Sequence, residues 1–250
     1  MSYAEYISQL IICTPAELND PEKSLLLKLI ELYNRNEGIH SYLWFKKQPP
    51  IDSEDEKHLA TLLDRNLIEV VHGNRFRKGG RNYVLTTCGL FYILSEKQIF
   101  TGFLLSKYCE NIILRLLLFQ YINENTVKNW SPTVLTIISE YLHKCCVTTK
   151  RTIEIIRSSK ISEEKERYSK LLELDIKALA FYLGIRLTRL YSHYLSIFKK
   201  KGLTHKDELD HEEARMFNLL SEDDKFSRFR ISILKELDEA FEELVRLKAE

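Results

Sequence analysis

The chain has 250 residues, of which 44% are hydrophobic and 29% charged, and its formal net charge is +1. This composition supports a sizeable core and excludes a disordered polyelectrolyte; any affinity for a polyanion must come from local patches. Glycine and proline are scarce beside Leu, Ile, Lys and Glu, which favours helices in one or two domains.

The N-terminus is neither basic nor followed by a long apolar core, so no signal peptide is expected. Residues 2 to 12 read as a short amphipathic stretch. Asp20-Pro21-Glu22 predicts a helix start, with Asp20 as cap and Pro21 in the first turn. Leu25, Leu26, Leu29, Ile30, Leu32 and Tyr33 supply its apolar face, and Asn36-Glu37-Gly38 ends it. His40 to Lys47 reads as a second short helix, closed by Gln48-Pro49-Pro50. Ser53 and Glu56 form a capping-box pattern that opens a third helix, with Leu59, Leu62 and Leu63 on its inner face.

Two β-rich runs follow, Leu67-Ile68-Glu69-Val70-Val71 and Tyr83-Val84-Leu85-Thr86. Between them Gly73-Asn74 and Gly79-Gly80 are turn residues, so the segment predicts a hairpin. Its tip carries Arg75, Arg77, Lys78 and Arg81 and no acid. Four cations on one loop repel one another unless an anion meets them, and a phosphate backbone is the most abundant suitable anion.

The order helix, helix, helix, strand, hairpin, strand, helix, with Leu63-Asp64-Arg65-Asn66-Leu67-Ile68 before the hairpin and Tyr83-Val84-Leu85-Thr86-Thr87-Cys88-Gly89 after it, resembles the winged helix-turn-helix regulators of the MarR and PadR types. The resemblance covers about residues 20 to 97. It implies a wing that meets DNA through Arg75, Arg77, Lys78 and Arg81, and Thr86 as the cap of the next helix. It also implies that the third helix enters the major groove. The first turn of that helix is Ser53-Glu54-Asp55-Glu56, which DNA would repel, so Lys57, His58, Thr61 and Arg65 are left for groove contacts.

The remainder reads as helical. Gln98 to Asn123 predicts one long apolar helix, and Lys107, Glu110 and Arg115 within it argue against a membrane span. Ser131-Pro132 starts a helix running to about Ser159, with Val134, Leu135, Ile138 and Leu142 on its face. Ser162-Glu163-Glu164 starts another. A last helix runs from about His211 to Lys248, broken near Ser221-Glu222-Asp223-Asp224.

Residues 177 to 206 contain seven Lys and Arg and no acid, whereas the following segment is acidic. Residues 177 to 203 admit two readings. One is a second helix-turn-helix in which Arg186, Thr188, Arg189, Ser192 and His193 face a groove, followed by Lys199 and Lys200. The other is a single unbroken helix. Leu172, Ile176, Leu179, Leu183, Leu187, Leu190, Tyr194 and Ile197 recur at steps of three and four, which favours the continuous helix.

The five cysteines are odd in number and contain no C-x-x-C, which predicts reduced, buried thiols. Histidines and cysteines give no metal constellation, and no Walker loop, G-x-G-x-x-G, G-x-S-x-G or H-E-x-x-H is present. An enzyme, a cofactor and a small-molecule ligand are therefore not expected.

The resulting expectation is a mainly α protein with an N-terminal winged helix at 1–97 and an α-helical bundle at 98–250 that dimerises. Its expected partner is double-stranded DNA, its place the cytoplasm or the nucleoid, and its role transcriptional regulation as a homodimer. Two rivals are a plasmid or chromosome replication or partition protein and a winged-helix protein-interaction module.

Overall fold

The computed structural model describes residues 10, 13, 17–35, 53–71, 82–96, 102–118, 130–202 and 209–221, with 228, 231, 242, 245 and 246 singly. The reading of 40–47 as a helix, nearly all of the 2–12 stretch, and the hairpin tip lie outside the described residues. The described part is mainly helical with one two-stranded antiparallel sheet.

Helix α1 spans Asp20–Arg35. Its cap is one residue earlier than the sequence suggests. The Asn19 side-chain oxygen accepts from the Glu22 amide (2.9 Å), and the Glu22 carboxylate accepts from the Asn19 amide (3.1 Å). This reciprocal pair satisfies two amides that the first turn leaves without intrahelical partners. Asp20 instead sits inside the helix beside Pro21.

Helix α2 (Ser53–Asp64) packs on α1 and ends in a Schellman turn. The Asn66 amide donates to Leu63 O and the Leu67 amide to Leu62 O, both at 2.9 Å. Asn66 takes the left-handed conformation (φ 55°) that this turn demands, which Asn tolerates better than most residues. Strand β1 (Ile68–Val71) follows at once and pairs with β2 (Asn82–Leu85) in the register Ile68↔Leu85 to Val71↔Asn82.

Helix α3 (Thr87–Glu96) lies against β2 and is buried on every side from Cys88 to Ser95. Its outer neighbours are the later helices Ile112–Leu117 and Pro132–Ser158. The expected single helix from Gln98 to Asn123 is corrected: within 102–118 the chain forms α4 (Gly102–Tyr108) and α5 (Ile112–Leu117), broken at Cys109–Asn111. The break has a local cause. The Asn111 side chain accepts from the Ile113 amide (2.9 Å) as the cap of α5 and donates to Thr87 Oγ1 (3.0 Å).

Helix α6 (Pro132–Ser158) is capped by Ser131, whose hydroxyl accepts from the Val134 amide. It turns back at residues 159–161 into α7 (Ser162–Lys201), a helix of 40 residues and about 60 Å at the usual rise per residue. No turn interrupts α7, and Gly184 is buried within it. The second helix-turn-helix reading is thereby excluded and the continuous one stands. Each residue of the three-and-four seam from Leu172 to Ile197 is buried or packed against the core. Gly202 ends α7 in the left-handed region, and α8 (His211–Ser221) folds back onto it.

The buried side chains form one continuous cluster from Leu10 to Met216. The expectation of five reduced thiols also needs correction. Cys13 and Cys88 form a disulfide across a sequence separation of 75, with their Cα atoms 5.1 Å apart. Spacing along the chain carries no sign of such a pairing, because only the fold brings the N-terminal segment onto the start of α3. Cys109, Cys145 and Cys146 take no part in the bridge and are buried. No described helix is long and apolar enough to cross a membrane.

Candidate nucleic-acid interface

The β1–β2 ladder is held to the body of the protein by several independent bonds. Thr86 is the hub. Its hydroxyl accepts from the Gly89 amide (3.0 Å), capping α3, and donates to Asn66 O, while its amide donates to Leu67 O (3.2 Å). The Schellman turn, the last residue of β2 and the start of α3 are thus one bonded unit. Tyr108 from α4 accepts from the Leu85 amide (2.8 Å), which holds β2 on its outer edge. Gly89 completes the arrangement: a methyl group there would lie 1.9 Å from Leu67 O, so only glycine lets α3 approach the turn this closely.

The described ladder ends at the pair Val71↔Asn82. Residues 72–81, with Arg75, Arg77, Lys78 and Arg81, connect those two ends and lie outside the described residues.

The structure places the α2 candidates unequally. Lys57 is exposed, His58 and Thr61 are half-buried, and the Thr61 hydroxyl donates back to Lys57 O (3.1 Å). Arg65 is engaged elsewhere. Its guanidinium donates to the Glu22 carboxylate and to Glu17 O, both at 3.2 Å, at the N-terminus of α1. The Glu22 side chain is only 6% exposed, so Arg65 supplies the charge partner that a buried carboxylate needs. Between Glu56 and Asp64 the fully exposed positions are Glu56, Lys57, Ala60 and Asp64, a surface with more acid than base. That surface is poorly suited to a groove, and the cations of the hairpin are the stronger candidates.

The later candidates share one unbroken helix. Arg186 is drawn into the α6–α7 seam, where it pairs with Glu140 and lies 5.9 Å from the Tyr182 ring. Lys144 pairs with the same carboxylate (2.9 Å) and lies 5.5 Å from the same ring. The Arg186 hydrogen bond, followed by that of Lys144, holds the Glu140 carboxyl below its ordinary value. Arg189, Ser192, His193, Lys199 and Lys200 are exposed.

Arg65, a candidate for groove contact, and Arg186, a candidate only if residues 177–203 formed a second helix-turn-helix, are held instead by Glu22 and Glu140, carboxylates remote in sequence. The Asn19-x-x-Glu22 spacing was a readable sign that Glu22 is structural. Among the described residues no group of three His, Cys, Asp or Glu gathers as a metal site. No family model, no curated protein and no solved structure matches this chain.

Proposed function

We propose that the protein binds double-stranded DNA through the β1–β2 hairpin and acts as a dimeric transcriptional regulator of winged-helix type. The observation that carries this reading is the position of the acid-free basic run. Arg75, Arg77, Lys78 and Arg81 all fall between Val71 and Asn82, the last pair of a ladder anchored by Thr86, Gly89 and Tyr108. A firm base with a cationic loop positions charge against phosphates without ordering a long segment from scratch. The acidic balance of the exposed α2 surface assigns most of the affinity to the hairpin and little base reading to the helix. Ile155, Ile161 and Leu171, exposed to 43%, 54% and 43% around the α6–α7 turn, support association of two copies through the helical region.

The test is fluorescence anisotropy of a mixed-sequence duplex across a salt series, comparing wild type with the Arg75→Ala/Arg77→Ala/Lys78→Ala/Arg81→Ala variant. Each phosphate contact contributes about 0.9 to the slope of log K against log salt, so the variant should lose up to about 3 to 4 units. A variant with the wild-type slope removes the hairpin from the interface. It would turn attention to the exposed acids of α2 as a docking face for a basic protein.

A further inference from the structure

Helix α7 carries two different kinds of charged surface. In its first half, acids and bases alternate and neutralise each other: Lys170 pairs with Glu166 and Lys177 with Glu173, each at 3.1 Å and four residues apart. That is how a solvated helix face ordinarily looks. From Lys177 to the end of the helix at Lys201 there is no acid at all. Beyond Lys177, two of the cations are used internally, Arg186 by Glu140 and Lys201 by Glu213 of α8 (2.8 Å). Arg189, Lys199 and Lys200 are exposed, with no carboxylate partner among the described residues.

The geometry gathers these cations on one side. Leu187, Tyr191, Tyr194 and Phe198 pack toward the core, where Phe198 meets Phe217 of α8 edge to face (ring centroids 5.4 Å). At about 100° per residue, Arg189, Ser192, Ser196, Lys199 and Lys200 centre on the opposite side, about 180° away. Ser192, Leu195, Ser196, Lys199 and Lys200 line one shallow open depression there. The acids of α8 sit behind the helix: Glu212 bonds Thr133 and Glu213 holds Lys201. The end of α7 is thus an unbroken helix, clamped from behind, with a cationic and hydroxyl-bearing front.

We propose that this front, Arg189 with Ser192, Ser196, Lys199 and Lys200, is a second surface for the phosphate backbone of duplex DNA, which it follows without reading bases. Arg189 to Lys200 spans about 16 Å of helix, close to five base-pair steps of one strand. Serine hydroxyls between the cations donate to phosphate oxygens. A lipid surface would instead require a row of bulky exposed apolar residues along the same front, where the half-buried Leu195 stands among the cations and serines that line the depression. The proposal does not rest on the hairpin reading, since the stripe lies on a separate element and contributes its own charges.

The experiment is duplex binding by the full chain between about 50 and 200 mM salt, followed by anisotropy. The Arg189→Ala/Lys199→Ala/Lys200→Ala variant is compared with Lys165→Ala/Arg167→Ala/Lys170→Ala, which removes three equally exposed cations from the first half of the same helix. The expected result is a slope lower by about 2 to 3 units in the first variant and near wild type in the second. Three results overturn the proposal: an unchanged slope in the first variant, equal losses in both, or no duplex binding by wild type at the lowest salt. The hairpin variant, measured alongside, shows separately whether the hairpin contributes.

Discussion

At Gly89 the packing is decided by one missing methyl group. The turn after α2 places Leu67 O where a Cβ on residue 89 would stand, so Gly89→Ala must displace backbone rather than a side-chain tip. It should cost about 1–3 kcal/mol by overpacking, read as a lower urea midpoint. Gly202 is the contrast: its φ is +57° and nothing lies within 4 Å of an added Cβ. Gly202→Ala should cost only the backbone term, about 1 kcal/mol. Equal losses at the two glycines would count against the close approach at Gly89. These positions show which residues a sequence makes legible. Thr86 caps α3 through a neighbour in the chain, and that role follows from residue type and spacing, whereas the close approach of Gly89 to Leu67 O does not. Arg65 and Arg186 looked free for a ligand because Glu22 and Glu140 stand 43 and 46 positions away.

Among the elements, α6 and α7 were legible from their start signals and periodicity, because a seam repeating at three and four leaves one face to bury and favours a continuous α7 over a second helix-turn-helix. The run after Gln98 was not. Its apolar residues suit one long helix, and the break depends on Asn111 finding both the Ile113 amide and Thr87. The α6–α7 seam also carries a pH dependence. The Glu140 carboxyl is held below its ordinary value by Arg186 and then Lys144. A depressed carboxyl stabilises the fold above its unfolded value, and that stabilisation is lost as pH falls through the folded value. Wild type should therefore exceed Glu140→Gln in stability by about 1 kcal/mol at pH 7. The gap should close as the pH falls below the ordinary carboxylate value of 4.5. Urea titrations of both proteins at neutral and acidic pH measure it; a gap that stays constant would mean the carboxylate charge adds nothing to the seam.

Over the whole molecule, α3 does the joining. It is buried against β2 on one side and α6 on the other, so the hairpin-bearing part and the long helices share a core. Cys145 and Cys146 lie within that core. Burial pushes the Cys145 thiol up to about 12 and raises that of Cys146 as well. A thiol reagent at mildly alkaline pH should therefore leave Cys109, Cys145 and Cys146 unmodified in the native chain and label all three on unfolding without reductant. Rapid labelling of the native chain would show that the shared core opens readily. This joining was half legible: the unbroken apolar run Leu90–Leu94 marks a helix buried on every side, but not which layers cover it.

The Cys13–Cys88 bridge turns the segment from 13 to 88 into a closed covalent circuit. In the chain-entropy account, tying off about 75 residues lowers the freedom of the unfolded ensemble by about 4.5 kcal/mol. Topology adds a second effect. The basic connection 72–81 lies inside the circuit, so a scission there converts a ring into a line without releasing either half. The hairpin's two strands would remain one molecule through two separate tethers, the ladder and the bridge. The basic connection is thus also one whose severance the chain can survive.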